Sequence, residues 1–90
     1  ESGEVNCRVE DKPGAMEAVK AHFSAQATPE AVMDFDGYRL EFSDWWFNIR
    51  PSNTEPYLRF ICEARDPEML RQKINETTEL LENKFGAVRA

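Results

Sequence analysis

Apolar and polar residues alternate from position 5 to position 9, a period-two pattern that predicts a strand. Asp11 follows where a helix needs a cap, Pro13 falls in the first turn, and Met16, Val19 and Phe23 recur at helical spacing. A helix is therefore predicted to about Ala27, ended by Thr28-Pro29-Glu30. Residues 32–35 form a short strand, Asp36-Gly37 is a hairpin turn signal, and residues 38–42 alternate again. Ser43-Asp44 turns the chain, residues 45–50 return, and residues 57–64 make a further strand. Asp66-Pro67-Glu68 opens a second helix with a cap and a proline at the first helical position. Leu70, Ile74, Thr77, Thr78, Leu81 and Phe85 form its inner stripe, and Gly86 is its stop.

This order of strand, helix, strands, helix predicts an α+β fold: an antiparallel sheet of four to five strands with two helices packed on one face. The pattern alone does not separate this from other two-layer α+β folds. Strand parity assigns the faces. Val5, Cys7, Val9, Tyr38, Leu40, Phe42, Phe47, Ile49, Leu58, Phe60 and Cys62 face the helices. The opposite face receives Asn6, Arg8, Arg39, Glu41, Trp46, Asn48, Arg50, Tyr57, Arg59 and Ile61, so four arginines share it. Arg8 and Arg39 are expected to pair with Glu41 or nearby acids. Of the adjacent Trp45 and Trp46, one faces the core. The other is either covered by its neighbours or available to another domain.

Ninety residues make one small domain, and 41% hydrophobic with 31% charged residues is a globular composition. A net charge of −6 argues against general nucleic-acid or anionic-membrane binding. No apolar run approaches the roughly 20 residues of a membrane span. The chain opens at Glu1 with neither a signal peptide nor an initiator Met, so a piece of a longer protein is expected. Cys7 and Cys62 lie in alternating apolar runs and read as reduced core thiols; a disulfide stays open if their strands are neighbours. One histidine, His22, with no clustered ligands gives no metal site, and His22 reads as a partly exposed helix residue. Glu76, Glu79 and Glu82 read as a solvated helix face.

The segment Arg50-Pro51-Ser52-Asn53-Thr54-Glu55-Pro56, with Arg59 just beyond, carries the candidate chemistry. Arginine offers a planar fork of donors that matches phosphate oxygens and keeps its charge. Ser, Asn and Thr add short donors, and the two prolines restrict the loop backbone. An ordinary polar hairpin loop would use the same residue types to satisfy its own turn. The full motif Arg-x-Ser-Asn-Thr-Glu-Pro-x-Leu-Arg resembles the phosphate-binding loop in the C-terminal domain, domain 4, of the α-D-phosphohexomutases. Its Ser-Asn-Thr form is similar to the phosphomannomutase/phosphoglucomutase branch. The resemblance extends to Ser2-Gly3-Glu4-Val5-Asn6 and Asp36-Gly37-Tyr38-Arg39.

The resemblance implies a TATA-box-binding-protein-like fold, with residues 1–90 as one C-terminal domain of a larger cytoplasmic enzyme. It implies that Arg50, Ser52, Asn53 and Thr54 contact the substrate phosphate, with Arg59 supporting the loop or lying near the phosphate and Glu55 shaping the loop. The implied enzyme is an isomerase that interconverts hexose 1-phosphate and hexose 6-phosphate, of mannose or glucose, through a bisphosphorylated intermediate. This domain would hold the non-reacting phosphate. No catalytic residue, cofactor or metal is expected in it, Mg2+ is expected in the full-length enzyme, and the isolated chain should be inactive. The partners implied are a phosphosugar and the other domains of the same enzyme, with no nucleic acid and no membrane. Two other classes stay open: a stand-alone anion- or phosphopeptide-binding module, and a nucleic-acid binder using the arginine-bearing sheet face.

Overall fold

The computed structural model describes residues 1–53 and 55–90. The predicted alternation becomes β1 (Ser2–Arg8), and the predicted first helix becomes α1 (Lys12–Gln26). Asp11 caps α1 by accepting from the Gly14 N–H at 3.0 Å. Four strands follow as a meander: β2 (Ala31–Met33), β3 (Tyr38–Glu41), β4 (Trp45–Pro51) and β5 (Tyr57–Ala64). Then come α2 (Pro67–Phe85) and β6 (Val88–Arg89). Asp66 caps α2 at the Met69 N–H, 2.8 Å away, and Gly86 ends it in the left-handed region at φ 63°.

The strands form one antiparallel sheet in the order β2-β3-β4-β5-β1-β6. Helix α1 packs over β3 and β4, and α2 over β5 and β1. The α+β sandwich therefore stands, with six strands rather than four to five. The extra one is β6, whose two residues pair with Cys7 and Arg8 and are too few to show alternation. The strand expected at residues 32–35 is shifted to Ala31–Met33, which leaves Phe35 in the turn.

The faces follow the parity. Val5, Cys7, Val9, Leu40, Phe42, Phe47, Ile49, Leu58, Phe60 and Cys62 are buried, joined by Trp45, Ala64 and the helix residues Ala15, Val19, Phe23 and Leu81. Tyr38 is only partly buried; its ring lies under the Lys20 ammonium and its hydroxyl donates to Glu17 on α1. Phe23 sits at the aromatic centre, 4.8 Å from Trp45 and 5.4 Å from Phe47. Lys73 of α2 closes that end, its ammonium 4.7 Å from the Trp45 ring.

One open alternative is closed and one expectation is corrected. Strands β1 and β5 are neighbours, yet Cys7 pairs with Leu58 and Cys62 with Gly3. The thiols are thus four positions apart along the ladder, about 13 Å at strand rise, beyond any disulfide. Both are free and buried, and burial pushes the Cys62 thiol up to about 11. Nor is Glu76 part of a solvated face. It accepts from Gln26 at 2.6 Å and meets His22 at 2.9 Å, bridging α2 to α1. Glu79 and Glu82 remain exposed, as expected.

Candidate functional site

The loop motif spans the turn from β4 to β5. The antiparallel register sets Arg50 directly opposite Arg59, with Cβ atoms expected about 5 Å apart on the helix-free face. Like charges so placed repel, and the face answers this at Arg59 alone. Glu4 on β1 accepts from Arg59 Nε at 2.9 Å and from a second guanidinium nitrogen at 3.5 Å. The Asn6 amide, donating to Glu4 at 2.8 Å, and then Arg59 hold the Glu4 carboxyl below its ordinary range, so it is ionised at neutral pH.

Two further arginines of this face also have companions. Arg39 pairs with Glu41 at 2.9 Å and lies 4.0 Å from the Trp46 ring, which it covers. Arg8 stacks on Tyr57, its register partner, at 5.7 Å rather than pairing with an acid. Arg50 is exposed and makes no ion pair, ring contact or side-chain hydrogen bond among the described residues. It is the face's uncommitted guanidinium.

Arg50 opens onto a cleft of about 420 Å³ lined by Asn6, Asp36, Pro51, Ser52, Asn53, Tyr57 and Arg59 as well. Four of the five expected site residues, Arg50, Ser52, Asn53 and Arg59, thus share one cavity. The fifth, Thr54, lies outside the described residues. Both ends of the loop are anchored. The Ser52 N–H donates to the Tyr57 carbonyl at 2.9 Å, and the Val9 N–H donates to the Pro56 carbonyl at 3.1 Å. The Lys12 ammonium reaches the Glu55 carbonyl at 3.4 Å from the start of α1.

Asn6, Asp36 and Tyr57 are cleft walls that the motif did not name. Parity already placed Asn6 and Tyr57 on this face. Asp36 arrives from the β2–β3 turn by a contact that no local pattern encodes. Gly37, at φ 131°, lies so close to β4 that a Cβ would stand 2.1 Å from the Ile49 carbonyl oxygen and 2.9 Å from the Arg50 Cα. Only glycine permits that approach, and it brings the Asp36 carboxylate to the rim of an otherwise cationic cleft. Guanidinium, hydroxyl and amide donors here suit a phosphate, while Asp36 and the Asn6 carbonyl can accept from neighbouring hydroxyls.

The family model described as phosphoglucomutase/phosphomannomutase, C-terminal domain, matches residues 4–80. Among curated relatives, a phosphomannomutase of Methanocaldococcus jannaschii is 41% identical over 80 residues, covering 89% of this chain and 17% of that protein. A protein named phosphohexose mutases, of Xanthomonas campestris, is 43% identical over 82 residues, covering 89% of this chain and 18% of its own length. A probable phosphoglucosamine mutase of Thermococcus kodakarensis is 33% identical and covers 91% of this chain. The chain thus spans under a fifth of the length of these relatives. A solved phosphoglucomutase/phosphomannomutase family protein from Burkholderia thailandensis shares the fold, with a TM-score of 0.60 at 22% identity over 99% of this chain and 19% of that one. The chain belongs to the phosphoglucomutase/phosphomannomutase C-terminal domain family.

Proposed function

We propose that this chain is the substrate phosphate-binding domain of a phosphohexomutase acting on mannose or glucose phosphates. Its task is to hold the phosphate that is not reacting, while the other end of the sugar meets the phosphoserine of another domain. The observation that carries this reading is Arg50, an uncommitted guanidinium at a cleft of hydroxyl and amide donors, on a face where Arg8, Arg39 and Arg59 already have companions. An anion at Arg50 would also relieve its repulsion with Arg59 across the ladder.

Gripping one phosphate fixes the distance and direction of the reacting one, which is catalysis by positioning. Asp36 and Asn6 are available to the sugar hydroxyls beside that phosphate. A grip made mainly on phosphate tolerates both sugar orientations, as a bisphosphorylated intermediate that reverses in the site requires. Binding energy at the remote phosphate also helps close the domains around the substrate. The described residues contain no group of three or more His, Cys, Asp or Glu able to hold a metal ion. They do not fit the magnesium expected in the full-length enzyme. Among the described residues, no helix is long and apolar enough to cross a membrane. A cytoplasmic setting fits the two free buried thiols.

The test pairs two measurements. Amide NMR of the chain, titrated with mannose 1-phosphate or glucose 6-phosphate, should show saturable shifts at Ser52 and Asn53 with millimolar affinity, about −4 kcal/mol. Arg50→Ala should abolish them. In the full-length protein, Arg50→Ala should lower kcat/KM by about 10- to 150-fold, the value of a charge-assisted hydrogen-bonding group. Unchanged mutase kinetics in that variant would overturn the reading.

A further inference from the structure

Among the described residues, four large hydrophobic side chains are exposed, and three of them fall within four consecutive positions at one corner of the sheet: Val32 at 50%, Met33 at 37% and Phe35 at 86%, with Val32 on the helix side and Met33 on the other. They lie on β2, an edge strand, and on the turn that follows it. No described residue covers Phe35, although a Phe ring can bury 150–250 Å². An uncharged apolar edge strand is a feature that proteins ordinarily cover or blunt.

We infer that this corner, with Phe35 as its knob, docks onto another domain of the full-length protein. The inference rests on the reading of this chain as one domain of a larger mutase. Two observations favour that occupant. The first is continuity with the cleft: Phe35 adjoins Asp36, which lines the cleft, and the same turn is fixed against the Arg50 backbone through Gly37. A surface that seats Phe35 therefore also sets the orientation of the phosphate grip. The second is extent: the relatives carry more than four times this chain's length beyond the matched segment, enough to supply a surface.

Charge describes the partner surface. Phe35 stands between Asp34 and Asp36, neither of which has an ion pair among the described residues. The complementary surface is an apolar pocket rimmed by lysine or arginine. Met33 stands on the cleft face, opposite Arg39, and extends the contact toward Trp46.

Hydroxyl-radical footprinting of the full-length protein, with and without glucose 1-phosphate, tests this. Phe35 and Met33 should become protected when the sugar phosphate is bound. Phe35→Ser, an exposed substitution that leaves the fold intact, should abolish protection at Met33 and raise KM by about tenfold, a typical loss for an aromatic anchor. Modification of Phe35 at the rate of a free side chain in both states would overturn the inference. So would protection that grows with protein concentration, which would assign the corner to a second copy of the protein. Arg50→Ala, assayed alongside, separates the two readings. If it lowers kcat/KM as expected while Phe35 stays unprotected, the phosphate-binding role survives and the docking surface does not.

Discussion

Arg50 and Gly37 show how one side chain and one missing side chain shape the candidate site. A lysine at position 50 keeps the charge but loses the planar fork, so Arg50→Lys should retain only part of the phosphate affinity, weakened about tenfold, in the NMR titration. Gly37→Ala should be worse than its size implies. The added Cβ meets backbone at 2.1 Å and the position holds φ 131°, so the turn must move away from β4. We expect a stability loss of about 2–4 kcal/mol by urea unfolding, within the range for strained or overpacked positions, and weaker phosphate binding with it. Asp36 acts in the opposite sense. Its carboxylate repels a bare phosphate but can accept from a sugar hydroxyl. Asp36→Asn should therefore raise affinity for inorganic phosphate by about 2- to 5-fold, the scale of an exposed charge pair, without the same gain for glucose 6-phosphate. Equal changes for both ligands would remove Asp36 from the sugar side of the cleft.

The strands and helices were legible wherever burial is one-sided. β1, β4 and β5 alternate because one face lies under helices, and the same parity placed Trp45 inside and Trp46 outside. Caps at Asp11 and Asp66 and the stop at Gly86 could be read because each satisfies backbone groups within a few residues. The illegible parts are those fixed by distant contacts. β6 exists because β1 offers a free edge, Glu76 is drawn inward by residues about fifty positions away, and Asp36 enters the cleft only because Gly37 rests on β4. The loop motif was legible as chemistry, but the opposition of Arg50 and Arg59 and the pairing of Arg59 with Glu4 needed the register. Gly86→Ala tests a legible device. Beyond its own neighbours along the chain, no described atom lies within 4 Å of the added Cβ, so any loss comes from the left-handed backbone alone. It should cost about 1–2 kcal/mol, measured as a lower urea midpoint with unchanged slope.

Acid should unfold this domain through carboxylates that the fold holds ionised. Burial pushes the Glu76 carboxyl up, but the hydrogen bonds from Gln26 and His22 and the charge of Lys73 together outweigh it and hold it below its ordinary range. The Asn6 and Arg59 contacts do the same for Glu4, and the Met69 N–H, followed by Arg65, for Asp66. The folded state therefore binds these protons more weakly than the unfolded chain does. Their contribution is fully present above the ordinary carboxylate range, near pH 4–4.5, and is lost as pH falls through their lowered folded values. Glu76 is the partly buried member and ties α1 to α2 across the top of the core, so its share should be the clearest. Glu76→Gln keeps an acceptor but removes the charge. The stability difference between wild type and this variant should be about 1 kcal/mol at pH 7, the scale of one hydrogen-bonded group. It should shrink steadily below pH 4 as the wild-type carboxylate takes up its proton. Urea melts of both proteins from pH 7 to pH 2.5 measure that difference directly. A gap that stays constant down to the lowest pH would mean that Glu76 contributes through shape and hydrogen bonding alone, not through its charge.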